Sequence, residues 1–498
     1  MVVAANPKAW LSKMRVRGLG HHARDRLSPP DGTGAGGADP RHLGILAFEA
    51  GRTMSRLVSL HRGLSESEVA RLRCDVMRSQ GVAYLNSADQ VALVRVACAE
   101  MVDDLDATAA AVARFAGRCR EGWPRGFDHV YKELKVGKCL AGDISRLGLG
   151  LHARDVEKKV KKMEKYAAST SALYMATEEL AKLEAAERRL AKCRHWGGAS
   201  QADVESLQRQ ISLQRDRARQ LREDSLWCRS FDKVAELMAR SVISIFARIC
   251  SVFGASVAEL PQVVQGRHGR LEVSPRTIQP RLIHLQYPYS ANRAAGISMS
   301  GPLERPPVGN VLIRNSGPIL RSPAVDDDEA ADANAWKEQA LAPPPNTLGA
   351  SGLQLRYAKV VALLDKLASS PELVGEETRE ELYGLLPEGL RTAVGAKLRG
   401  YRRKDDGGGR SDELADGWRG AVEAILGWLA PMADATVQWH SERSFEQQHS
   451  GSEPRVLMLQ TLMFSDREKA EAAIVEVLVA FSCVCLYGHI GEEDGREF

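Results

Sequence analysis

At 498 residues the chain has room for two or three domains, each with a core of its own. Its 44% hydrophobic and 27% charged content is ordinary for a soluble protein. A net charge of +4 over this length supplies no global field of the kind nucleic-acid binding needs. Nine scattered cysteines without a C-x-x-C pair exclude a disulfide framework and read as free thiols in a reducing compartment.

Residues 1–40 mix basic residues with Gly and Pro and read as a disordered tail. Arg15, Arg17, Arg24 and Arg26 can meet anionic lipid or nucleic acid, but a solvated tail is the simpler reading. The start has no secretory apolar segment, and Val2 stands where N-myristoylation needs glycine. The longest apolar run, Ser241 to Ala255, is interrupted by Arg248 and is too short to span a bilayer. An intracellular protein is therefore expected, in nucleus or cytoplasm or peripherally at the plasma membrane.

The stretch 41–136 reads as a helical bundle. Asp39-Pro40 opens a first helix with Leu46 and Met54 on its stripe. Ser65 with Glu68, and Ser87 with Gln90, predict capping boxes for two more. On the third, Val94, Met101, Leu105 and Phe115 recur at helical spacing and are expected in the core. Asp103, Asp104 and Asp106 on that helix fan around it and are expected to face solvent rather than form a carboxylate site.

The stretch 150–255 turns rich in Lys, Glu, Ala and Leu, and predicts a helical hairpin turning at 195–199. Its two seams can pack on each other or zip with a second copy, a route to self-association. Lys158, Lys159, Lys161 and Lys162 make the densest basic cluster, a candidate nuclear address or lipid patch set against the simpler reading of a solvated helix face. Between Pro261 and Pro345 lie 12 of the 21 prolines, so 256–346 reads as a flexible Pro-rich linker. Ser274 and Ser322 precede prolines there and are candidate phosphosites.

The C-terminal unit, 347–490, opens on T-L-G-A-S-G-L-Q-L-R-Y-A-K-V-V-A-L-L-D-K-L. Leu353, Tyr357, Val360, Val361, Leu364 and Leu367 form one stripe, and the small residues Gly349, Ser351 and Gly352 predict close approach of another element. The glycines lack the Lys-Ser/Thr of a phosphate loop. A later helix is expected to end at Pro431, and Ser465 with Glu468 predicts a box for the last one. Trp439, His440, Glu442 and His449 lack the H-E-x-x-H order of a zinc site. Trp418, Trp428 and Trp439 are candidate partner-binding anchors, weighed against burial in the core. The expected fold is all-α: two helical-bundle domains joined by a long coiled-coil-like hairpin and the linker.

Several phrases carry a resemblance. L-G-A-S-G-L-Q-L-R-Y-A-K-V (348–360) and T-R-E-E-L-Y-G-L-L-P (378–387) resemble a C-terminal plant domain of unknown function. L-G-I-L-A-F-E-A-G-R-T-M (43–54), L-S-E-S-E-V (64–69), G-V-A-Y-L-N-S-A-D (81–89) and R-F-A-G-R-C (114–119) resemble its N-terminal companion. Both occur in the plant phytosulfokine-simulator family. The resemblance implies a regulator of growth linked to peptide-hormone signalling and carries no catalytic or cofactor residues. A non-enzymatic adaptor for protein partners is the leading function. The alternatives are a membrane-surface or nuclear adaptor in stress or defence signalling, and an enzyme, for which no nucleophile–base pair, metal spacing or phosphate loop speaks.

Overall fold

Helix forms wherever the sequence repeats apolar residues at three and four positions. The computed structural model describes residues 42–120, 122–137, 153–195, 201–266, 270–274, 335–369, 375–402, 411–444 and 455–493. The expectations for the N-terminal tail, for Asp39-Pro40, Ser322 and His449 concern residues outside that set. The helices are α1 (Ala47–Gly63), α2 (Glu66–Arg71), α3 (Gln90–Ala116), α4 (Phe127–Val136), α5 (Ala153–His195), α6 (Gln201–Asp224) and α7 (Phe231–Phe253). After them come α8 (Gln354–Ser369), α9 (Glu376–Leu385), α10 (Glu388–Arg402), α11 (Ser411–Ser444) and α12 (Arg467–Glu493). The fold is all-α, with one small exception. Gln262–Gly266 and Arg270–Ser274 pair antiparallel, Gln262 opposite Ser274, so the stretch read as a linker begins with a short hairpin. Arg270–Ser274 does alternate polar and apolar residues, but Gln262–Gly266, with Val263 and Val264 adjacent, does not, so only half of the hairpin carries the period-two signal.

The N-terminal bundle is built on α3. Val94, Met101, Leu105 and Phe115 are buried along it, as is Met54 on α1, while Leu46 is only half-buried. Every residue of Ser241–Ala247 on α7 is buried, and α7 lies along both α3 and α1. It is thus a core helix of this bundle more than a part of the hairpin. A helix apolar all round must be covered on all sides. The hairpin itself forms: α5 packs along α6, with Arg215 paired to Glu184 and the Gln214 amide donating to the Ala176 carbonyl. The first half of α5 also packs on α1, where Gly51 leaves room for Thr170.

In the C-terminal region Tyr357, Val360, Val361, Leu364 and Leu367 are buried, as the stripe on α8 requires, and Leu353 is half-buried. Arg356 faces away and donates to the carbonyls of Leu385 and Leu386, tying α8 to the end of α9. On α12 Ala470, Ile474, Val477, Leu478 and Phe481 are buried.

Three local expectations give way. Asp89, not Ser87, caps α3 by accepting from the Val91 N–H. Asp466, not Ser465, accepts from the Lys469 N–H at the start of α12. In both places a carboxylate nearer the first turn wins the orphan donors. Pro431 does not end its helix: α11 runs through it to Ser444. Proline forfeits one intrahelical hydrogen bond. Leu426, Leu429, Met432 and Ala433 are buried on either side of it, and that burial holds the helix continuous.

Candidate functional site

One face of α3 is acidic, and the structure uses it. Glu100 is fully buried; its Oε1 accepts from the Trp439 indole N–H at 2.9 Å and its Oε2 from the Met458 backbone N–H at 2.6 Å. Asp104 pairs with Arg455 at 2.5 Å. Asp106 accepts from the Tyr131 hydroxyl and from the ammonium groups of Lys135 and Lys337, and Lys337 also reaches Asp103. Asp104 and Asp106 are therefore not solvent-facing. Two of their cations, Arg455 and Lys337, come from segments hundreds of residues away, a pairing that no local pattern encodes. Burial pushes the Glu100 carboxyl up to about 7, against the Trp439 and Met458 donors, with Asp104 adding to the rise and Arg455 opposing it. Lys337 stands on a short helix at 335–341, so the chain arriving from the Pro-rich segment is fastened to α3 before α8 begins.

A strap at 455–466 stitches the two regions together. Its Met458 N–H holds Glu100, and its Leu462 N–H donates to the Thr436 hydroxyl on α11. The Ser465 hydroxyl donates to Asn86 Oδ1, and Asn86 Nδ2 donates to the Leu459 carbonyl at 2.7 Å. The Asp466 N–H donates to the Leu85 carbonyl, and the Leu348 and Gly349 N–H groups donate to the Ser465 and Met463 carbonyls. The G-V-A-Y-L-N and L-G-A-S-G phrases, remote in sequence, thus meet on the same strap. Gly349 makes the approach expected of it: a Cβ there would lie 2.3 Å from the Met463 carbonyl oxygen. Gly352 serves differently, with φ of +68° and open space around it, so its need for glycine is conformational. Gly81 is a third such position, where a Cβ would come 2.7 Å from the Trp428 carbonyl oxygen.

Beside this junction the outer face of α11 is open. Two contiguous hollows of about 440 Å³ and about 650 Å³ share Glu423, Gly427 and Pro431. Asp365, Ser369 and Asp434 line the first; Asp75, Gly81, Trp428 and Gln460 are among those lining the second. Trp428 is half-buried and meets the Tyr84 ring edge-to-face at 5.5 Å, while Tyr84 is 48% exposed. Lys469 lies over that ring and donates to the Tyr84 carbonyl.

The three tryptophans separate. Trp418 is half-buried against Tyr401, Trp428 borders the groove, and Trp439 is interior, 6% exposed, holding Glu100. On α5 Lys158 pairs with Asp155 and Lys161 with Glu157, Lys162 lies over the Tyr166 ring, and burial lowers the half-buried Lys159, assisted by Arg240. Ser274 closes the second strand of the small hairpin. Among the described residues, no group of three or more His, Cys, Asp or Glu is placed to hold a metal ion. Among them, too, no helix is long and apolar enough to cross a membrane. The Glu100 seam and the strap carry no signal in the sequence beyond a carboxylate at a position of α3 that faces the core.

Two family profiles match the chain. Residues 45–101 match a domain of unknown function (DUF3475), and residues 347–438 match a protein of unknown function (DUF668). Protein PSK SIMULATOR 1 of Arabidopsis thaliana is 22% identical over 454 residues, covering 88% of this chain and 55% of that protein. The resemblance to the phytosulfokine-simulator proteins holds. Protein PSK SIMULATOR 3 of the same plant is 23% identical over the same shares, and Protein PSK SIMULATOR 2 is 22% identical, covering 87% of this chain and 58% of the relative. The chain thus spans little more than half the length of these simulator proteins. No solved structure matches it significantly. Both profile regions contribute to the junction: Asn86 and Glu100 lie in the first, Gly349 and Thr436 in the second.

Proposed function

We propose that the chain is a non-enzymatic adaptor that promotes plant growth in phytosulfokine-related signalling by bringing protein partners together. The observation that carries this reading is the junction itself. The two regions of unknown function are joined through a buried carboxylate and a hydrogen-bonded strap, and an aromatic-edged groove is left open where they meet. The large ionisable groups at the junction are committed to holding the fold, which suits a binding surface better than a reacting one. Trp428, half-buried on the groove, and Trp418, half-buried against Tyr401 on the same helix, are the residue type that anchors partners.

Proximity labelling in plant cells tests it, with the intact chain and its Trp428→Ala and Trp418→Ala variants expressed at equal level. The intact chain should label a reproducible set of signalling proteins and enlarge seedlings. At least one variant should lose that set and the growth effect, with a melting temperature within a few degrees of the parent. Unchanged labelling and growth in both variants would overturn the adaptor reading of this face.

A further inference from the structure

We propose that the groove along α11 docks a short segment of a partner protein bearing at least two Arg or Lys side chains; the proposal rests on the adaptor reading and specifies the partner's chemistry. Glu423, Gly427, Pro431 and Asp434 follow one another at steps of four, four and three, so they line one face of α11. From Glu423 to Asp434 that face is roughly 17 Å long at 1.5 Å per residue, the reach of about five extended residues. Four carboxylates edge it: Asp365, Glu423 and Asp434 on one hollow, Asp75 with Glu423 on the other. No Lys or Arg lines either hollow.

The contrast with the seam on α3 is what points to a ligand. There, Asp103, Asp104 and Asp106 each receive a cation from the chain. In the groove none of the four carboxylates has an ion pair among the described residues. Pro431 adds a further acceptor. It has no N–H to offer the Gly427 carbonyl one turn earlier, and Gly427 stands where the two hollows join. A guanidinium or ammonium group, with several donors and no acceptor, complements carboxylates around a carbonyl that lacks its usual helical donor. Between the charges, Ala424, Trp428 and Met432 offer apolar contact to a stem. The whole chain carries +4, so attraction of a basic segment comes from this face and not from net charge.

Fluorescence anisotropy with the full chain tests the proposal. The probe is a labelled hexapeptide containing two Arg and two Leu, compared with the same peptide carrying Glu for Arg. The basic peptide should bind at least tenfold more tightly than the acidic one, and should weaken several-fold between 50 and 300 mM salt. Glu423→Lys with Asp434→Lys should lower its affinity at least tenfold. Gly427→Leu should do the same by filling the groove while keeping all four carboxylates; a Cβ there meets nothing within 4 Å, so the melting temperature should not fall. As a control, Asp416→Lys on the same helix, where Asp416 already pairs with Arg419, should leave the affinity unchanged. Equal binding of both peptides, binding insensitive to both groove variants, or calorimetric uptake of calcium with no peptide binding would each overturn it. If the peptide fails to bind while Trp428→Ala still abolishes partner labelling, this inference falls and the adaptor reading stands. If the peptide binds as described but labelling is the same in every variant, the groove stands and the adaptor reading falls.

Discussion

Adding a single methyl group at Gly349 or Gly81 is expected to destabilise the protein by about 1–3 kcal/mol, the range of overpacking in a closed site. At Gly349 the new Cβ would sit 2.3 Å from the Met463 carbonyl oxygen, whose hydrogen bond from the Gly349 N–H is 3.0 Å long. At Gly81 the obstacle is the Trp428 carbonyl oxygen at 2.7 Å, with the Met432 sulfur at 2.6 Å. Backbone oxygens cannot rotate away as side chains do, so the strap, or the helical turn that runs from Gly81 into Val82–Asn86, must move. Gly427→Ala is the internal control: with nothing within 4 Å, it should stabilise α11 by up to about 1 kcal/mol through helix propensity. Thermal or denaturant melts read all three. A Gly349→Ala protein as stable as the parent would show that the strap does not pack as described.

Removal of the Glu100 side chain is the second large effect. Glu100→Ala leaves the Trp439 indole and the Met458 amide buried without their acceptor, and should cost roughly 3–5 kcal/mol. The pH dependence has a definite sign. The folded carboxyl titrates at about 7 and the ordinary one at 4.5. Between those values the folded protein holds a proton that the unfolded chain has released. The stability from this group is therefore complete below about pH 4.5 and is lost as pH rises through 7, by about 3 kcal/mol. Glu100→Gln cannot ionise, so its stability should vary less between pH 5 and 8 than that of the parent. Parallel profiles in denaturant melts would contradict the assignment.

The helices were legible because burial repeats along them. The Tyr357 to Leu367 stripe and the Ala470 to Phe481 face are apolar at helical spacing, and both are buried. The junction was not legible, for a physical reason. Asp104 finds Arg455, and Glu100 finds Trp439 and Met458, across more than 330 positions; an aspartate destined for such a partner looks the same in sequence as one facing water. Pro431 misleads in the same way: its cost is local and visible, while the burial of Leu429 and Ala433 that offsets it depends on the tertiary fold. Gly349 was readable as a point of close approach, but not the identity of what approaches. The groove is farther still from the sequence, since its carboxylates come from α8, α11 and the turn after α2.

Hydrogen exchange followed by mass spectrometry, on the parent and on Glu100→Ala, tests most directly whether the two regions act as one body. If Glu100 and the strap join them, the variant should lose protection together at 90–116 on α3, at 455–466 and at 426–440 on α11. Loss confined to α3, with the strap and α11 as protected as in the parent, would mean that the two regions are held independently and that the junction does not couple them.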